Sequence, residues 1–392
     1  MMKLLSLLST TSLLYLASAQ GTFDPLIPTK LRQTALASPG PNRSPQYTTA
    51  NGTWVYFGID GWTTGFFPAT LYAQAERLRI CRDRAVQGPW SQQEWLGLGR
   101  KWATAMLPLT QGNGQGHDQG FLAFPFVEEL KINPQNQTAI KAVNDFATIL
   151  ANRFDSVVGA TRSWDFGNPD AFTVIIDNMM NLELLYLSAG FTGNKTLISI
   201  ANTHADTSAR TFIRPDGGTY HVVEFDQATG GIIKRRTQQG YSDESTWTRG
   251  HAWSIYGFAN IYRLAKKEAY LQTARRLADY YLGRLPPSYI VPWDFDSPEQ
   301  FADASGAMVA AAGLVMLANE ETSRANKARY YGAAKKLLKA TSDFAWSPTW
   351  QSLLSNGTVN HPANNQLTGI VYGDYYYVLA GNELVKAGQA KC

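Results

Sequence analysis

The sequence predicts an all-α protein, an (α/α)6 barrel in which six helical hairpins close into a toroid, with a small β-hairpin excursion. Three observations carry that prediction. Apolar residues recur with helical period from one end of the chain to the other. The candidate helices are evenly spaced, and several are joined by short connections that make antiparallel neighbours. No Pro- or Ser-rich linker divides them. At about 150 residues per domain the length alone would suggest two or three units, but the unbroken rhythm favours one barrel domain over residues 20–392. No residue-level repeat is visible, so closure is inferred from helix number and spacing.

In chain order the helical pattern covers 27–37, 62–80, 91–108, 118–130, 137–154, 171–189, 195–212, 247–264, 266–283, 302–319, 325–343 and 373–387, twelve segments in all. The sixth leads through Leu187-Ser188-Ala189-Gly190 to the seventh at Asn194, and the eighth reaches the ninth through Leu264 to Lys267. Phe258, Ile261, Tyr262 and Ala265 form an apolar stripe at i, i+3, i+4 spacing, with charge on the other side. The excursion is Thr219 to Phe225 and Gly231 to Arg235, which flank the Gly-containing turn Asp226 to Gly230.

Lys3, the apolar stretch Leu4 to Leu16 and Ala17-Ser18-Ala19 predict a secretory signal peptide over residues 1–19. No later segment offers about 20 uncharged apolar residues, so the expectation is a secreted, extracellular protein with no membrane partner. The sequons at Asn42, Asn51, Asn136, Asn194 and Asn356 are candidate glycosylation sites. Cys81 and Cys392 are the only cysteines. Two do not make a disulfide framework, and whether they pair is open. The net charge of +4 is too small to imply nucleic acid or a membrane surface. A monomer or dimer is expected.

Asp177 stands with Asn178 and Asn181 in the otherwise apolar run Phe172 to Leu182. Burial would raise its pKa toward the range of a general acid. Equally, the β-branched run Val174 to Ile176 could enter a helix that Asp177 merely caps. The same two readings hold for Asp118, which comes after the Gly-rich run Gly112 to Gly116 and His117. In the functional one it holds sugar hydroxyls and raises the pKa of a neighbouring carboxyl by like-charge repulsion. Paired carboxyls in unequal environments are what glycoside chemistry commonly needs. The five histidines, His117, His204, His221, His251 and His361, form no zinc motif, and no metal or cofactor is expected. Trp62, Trp95 and Trp102 read as core. Trp164, Trp247 and Trp253 serve equally as ligand platforms or packing. Arg249 and Trp253, four apart, would share a helix face.

The chain resembles the unsaturated glucuronyl hydrolases of glycoside hydrolase family 88 over roughly residues 60 to 380. The stretches that carry the resemblance are Trp62 to Pro68, His117 to Phe121, Ile176 to Leu182, Arg214 to Gly217, Tyr220 to Val223, Gln239 to Asp243, Trp247 to Trp253, Pro292 to Asp296 and Tyr372 to Tyr376. Their order and separations are specific together. The resemblance implies the same (α/α)6 barrel and a reaction on lyase-generated oligosaccharides that end in a Δ4,5 uronic acid. An aspartate matching Asp177 protonates the vinyl ether at C4, water adds at C5, and the hemiketal opens to release the remaining chain. Such general acid–base catalysis is typically worth ~10²–10⁴ in rate. Asp118 matches the second carboxylate. His117, Trp164, His221, Gln239, Trp247, Arg249 and Trp253 match substrate-contacting positions. His251 departs from several bacterial members, which have Gln there. Leu353 to Gln366 contains neither Lys nor Arg, which implies weakly sulfated or unsulfated substrates.

Three competitors are an unsaturated rhamnogalacturonyl hydrolase acting on pectin fragments, a sugar 2-epimerase on a similar barrel, and a non-catalytic sugar-binding protein. The Arg249 to Trp253 stretch looks closer to the glucuronyl branch. An epimerase would want a central histidine pair, and retention of both carboxylates disfavours a mere binder.

Overall fold

The computed structural model describes residues 21–392, so the leader expected over residues 1–19 lies outside the described residues. Its helices are α1 (Leu26–Leu36), α2 (Phe66–Ile80), α3 (Arg84–Gln87), α4 (Gln92–Ala105), α5 (Gln119–Ile132), α6 (Gln137–Ala151), α7 (Leu182–Thr192), α8 (Lys195–Thr211), α9 (Thr248–Ala265), α10 (Glu268–Arg284), α11 (Ala304–Glu320), α12 (Arg324–Ala345) and α13 (Val371–Lys386). The ring closes. α2, α5, α7, α9, α11 and α13 pack each on the next, and α13 returns to α2. Outside them, α4, α6, α8, α10 and α12 each lie against the inner helix that precedes or follows in sequence.

Composition sorts the layers. α11 is a run of Ala, Gly, Ser, Val, Leu and Met that is buried along nearly its whole surface, as a helix enclosed by others must be. α4 buries one stripe, Trp95, Leu96, Gly99, Trp102 and Ala103, and starts with a capping box between Ser91 and Glu94. Each inner helix comes after an outer one, so the inner helices run parallel and their N-termini gather at one rim. Gly65, at the start of α2, touches the next inner helix there: a Cβ would come within 2.0 Å of the Phe121 carbonyl oxygen.

Short strands fill the connections. β1 (Arg43–Thr48) and β2 (Trp54–Gly58) form an unpredicted hairpin before α2, and β3 (Phe154–Asp155) pairs with β4 (Ala160–Thr161) after α6. The sixth predicted helix, 171–189, needs correction. Its first part is strand β5 (Phe172–Ile175), then a 3-10 segment over Ile176–Asn181, and α7 begins only at Leu182. The β-branched residues that could have entered a helix instead pair with the excursion, which is β6 (Val222–Phe225) and β7 (Ile232–Arg236). The sheet order is β5-β6-β7, antiparallel, with Phe172 opposite Phe225 and Ile175 opposite Val222.

Cys81, at the C-terminal end of α2, forms a disulfide with Cys392 across 311 residues of sequence. Among the described residues no helix is long and apolar enough to cross a membrane. Of the sequon asparagines, Asn42, Asn51 and Asn194 are exposed. Asn136 and Asn356 are half-buried, and their amide nitrogens donate to Glu129 and Ser355.

Candidate active site

The β5–β6 register aims the site. The ladder runs one step past Ile175, where the Ile176 N–H donates to the His221 carbonyl at 3.1 Å. Asp177 is the next residue, and its Oδ1 lies 3.9 Å from His221 Nε2. The capping alternative for Asp177 is excluded: it makes no side-chain cap, and its Oδ1 has no hydrogen-bond partner. Burial above all, opposed by His117 and Arg249 and aided by Asp118, raises its pKa from 3.8 to about 7. At neutrality it is poised to give and take a proton.

His221 has a defined tautomer. Its Nδ1 accepts the backbone N–H groups of Gln238 at 3.2 Å and Gln239 at 3.4 Å, so the proton of the neutral ring sits on Nε2, toward Asp177. Burial, then the charges of Arg249, Arg236 and His117, lower its pKa to about 3. The 3.9 Å contact is therefore not an ion pair. It is also too long for a direct hydrogen bond.

Asp118 occupies the N-cap position of α5 yet makes no capping bond. The cap comes from elsewhere. Asn181 Oδ1 accepts the N–H groups of Gly120 at 2.8 Å and Phe121 at 3.3 Å, which leaves the Asp118 carboxylate free of the capping role. Position 120 has to be Gly, because a Cβ there would meet Asn181 at 2.8 Å. His117 Nε2 lies 3.2 Å from Asp118 Oδ1, and the ring is almost fully buried.

The aromatic and basic candidates separate. Trp164 is half-buried and stands edge-on to His221 at 6.1 Å. Trp247 is buried between His221 at 4.4 Å and the Arg249 guanidinium at 4.6 Å. Trp253 has no exposed surface and packs on Phe121, Tyr372 and Tyr376. Arg249 is anchored by its two terminal nitrogens: Nη1 donates to Asp303 at 2.8 Å and to the Thr358 carbonyl, and Nη2 to the Val359 carbonyl at 2.6 Å. Gln239 Nε2 donates to the same Val359 carbonyl at 3.0 Å. Arg249 and Gln239 thus hold residues 358–359 beside the site. His251 faces outward, bonded to Thr219 and to the Leu277 carbonyl, so its departure from Gln does not reach the cavity.

Several buried atoms around Asp177 have no hydrogen-bond partner: both ring nitrogens of His117, Asp177 Oδ1, Asn178 Oδ1, Asn181 Nδ2 and His221 Nε2. Buried polar groups are nearly always bonded, so this cluster marks a site built for a polar guest. Asp374 makes the contrast. Burial raises its pKa to about 7 as well, but its two oxygens accept the Leu353 and Leu354 N–H groups. It holds a loop and offers no free oxygen to a reaction. Among the described residues no group of three or more His, Cys, Asp or Glu is disposed to hold a metal ion.

Trp62, read as core, is half-buried and packs against the core through Phe66, Phe121 and Tyr372. Sequence reasoning missed two participants. Asp303 anchors Arg249, and Asn181 supplies the α5 cap. Asn181 carried a signal, a second amide in an apolar run. Asp303 carried none, because its partner is 54 residues away.

No family model matches the chain. It is 34% identical over 329 residues to an unsaturated glucuronyl hydrolase of Formosa agariphila, covering 81% of this chain and 78% of that one. A crystal structure of an unsaturated glucuronyl hydrolase specific for heparin superposes with a TM-score of 0.84 at 28% identity, covering 92% of this chain and 95% of the other. An aspartate-to-asparagine variant of such an enzyme, solved with dGlcA-Glc-Rha-Glc, gives a TM-score of 0.81 at 26% identity, covering 91% of this chain and 93% of that one.

Proposed function

We propose a function from one premise: the chain belongs to the unsaturated glucuronyl hydrolase family. It is a glycosidase that removes the terminal Δ4,5-unsaturated uronic acid from oligosaccharides by hydrating the C4=C5 vinyl ether. The single observation that carries this is the Asp177 carboxyl, buried, partnerless at Oδ1 and with a pKa of about 7. Protonated, it delivers a proton to C4. Ionised, it accepts one from the water that adds at C5. His221 donates through Nε2, so an oxygen between it and Asp177 Oδ1 meets a donor on one side and an acceptor on the other. Burial, helped by the Asp118 charge, holds the Asp177 pKa near neutrality, and Asp118 faces the ring hydroxyls. The rhamnogalacturonyl and epimerase readings are not favoured.

The N-termini of the inner helices converge on this rim, and their partial positive charge suits a uronate. The preference within the class is for weakly sulfated or unsulfated substrates, because residues 353–366 contain no Lys or Arg and Arg249 is already engaged. The protein is secreted after loss of residues 1–19, a reading supported by the Cys81–Cys392 disulfide, which persists in an oxidising compartment. Exposed Asn42, Asn51 and Asn194 are the preferred glycan acceptors.

The test is the near-ultraviolet absorbance of lyase-generated disaccharides, since hydration destroys the conjugated C4=C5 system. Loss of absorbance on a uronyl disaccharide is expected. Unchanged absorbance across chondroitin, hyaluronan, heparin, gellan and pectin fragments would overturn the assignment.

A further inference from the structure

We propose that Phe166, together with Trp164, forms an aromatic shelf that binds the leaving chain beyond its first sugar. The inference deepens the function above and rests on it. Phe166 is the most exposed large apolar side chain among the described residues, at 64%. Scattered exposed apolar residues need no explanation. This one is different in three respects.

It is continuous with the site. Its ring is stacked on Trp164, with centroids 5.0 Å apart and planes 19° from parallel. Trp164 in turn stands 6.1 Å from His221, which lies 3.9 Å from the Asp177 carboxyl. The series Asp177, His221, Trp164, Phe166 therefore leads outward from the reacting carboxyl. The terminal uronyl ring sits at its inner end, so the outer end meets the sugars attached behind that ring.

Its loop is braced. Arg153 Nη2 donates to Asp165 Oδ1 at 2.8 Å, and Arg153 Nε to the Arg162 carbonyl at 2.8 Å. Asn168 Oδ1 accepts the Asp170 N–H at 3.1 Å, and Trp164 bridges Thr173 of β5. An exposed ring whose preceding residues are pinned to the scaffold loses little further freedom on binding. Gly167, with φ 101, makes the bend next to it.

Its chemistry fits. Sugar rings present apolar C–H faces, and a flat aromatic face covers them whatever the sulfation or linkage. The residues between α6 and β5 thus supply a contact that depends on chain length.

The experiment compares an unsaturated disaccharide with the unsaturated tetrasaccharide released from the same polymer by one lyase. For Phe166→Ala, the ratio of kcat/KM on tetrasaccharide to that on disaccharide should fall by about three- to tenfold, the worth of one aromatic contact. The loss should appear in KM, because the contact is remote from the reacting atoms and equal in ground and transition states. Phe166→Tyr should restore the ratio and Phe166→Leu should not. An unmoved ratio in Phe166→Ala, or full restoration by Leu, overturns the shelf while leaving the function intact. Wild-type enzyme inactive on both substrates overturns the function, and the shelf with it.

Discussion

Asp177 shows how one residue is made into a proton carrier. The fold puts it at the end of β5, denies Oδ1 a partner and sets Asp118 near enough to oppose its ionisation. The direction of its shift has consequences for both rate and stability. Turnover should fall as pH rises through about 7, because the step at C4 needs the protonated form. A kcat profile flat from pH 6 to pH 9 would contradict this. For stability, the folded pKa lies above the unfolded one, so the contribution of Asp177 is fully present below about 3.8 and is lost as pH rises to about 7. Asp177→Asn should therefore abolish turnover yet unfold at an equal or higher temperature than wild type at pH 8. The sequence exposed the conflict of a carboxylate among apolar neighbours but not its resolution, since the missing partner and the pull of Asp118 are facts of three-dimensional placement.

At the scale of elements, the site depends on a division of labour between two segments that the sequence places 60 residues apart. The 3-10 segment caps α5 through Asn181, and α5 thereby presents Asp118 uncapped. Asn181→Ala should cost about 1 kcal/mol of stability, typical of a lost N-cap. It should also lower kcat, because the freed N–H groups then draw the Asp118 carboxylate back onto the helix. Asn181→Asp keeps the capping oxygen but adds a charge at a fully buried position, so its stability should fall as pH rises while the alkaline limb of the kcat profile moves upward. Thermal unfolding together with pH-dependent kcat checks both. The helices themselves were largely legible, because amphipathic outer helices and uniformly apolar inner ones leave clear periodic patterns. Segment 171–189 was not: a short β-branched run has the same local composition whether it enters a helix or joins a sheet, and only β6, far along the chain, decides. Arg249 was legible as a cation on the helix face of Trp253, but its grip on residues 358–359 depends on a fold-level contact across 109 residues.

For the whole molecule, ring closure is the central demand. α13 must return to α2 after the entire chain has wound round, and the seam is held by α13's apolar face, by Arg77 bonded to Asn382 at 2.8 Å, and by the Cys81–Cys392 disulfide. The disulfide spans 311 residues, so in the loop-entropy picture its removal costs up to about 5 kcal/mol. Cys392→Ser, or reduction of the wild type, should lower the unfolding midpoint by several degrees. Activity at 25 °C should remain, because Cys81 ends α2 while the site lies at the N-terminal rim, roughly 20 Å away along a helix rising ~1.5 Å per residue. Two free thiols in the untreated protein, or an unshifted midpoint on reduction, would show that the disulfide plays no part in closure. A fall in kcat at a temperature where the reduced protein is still folded would mean instead that the ring transmits strain from its closing seam to the rim.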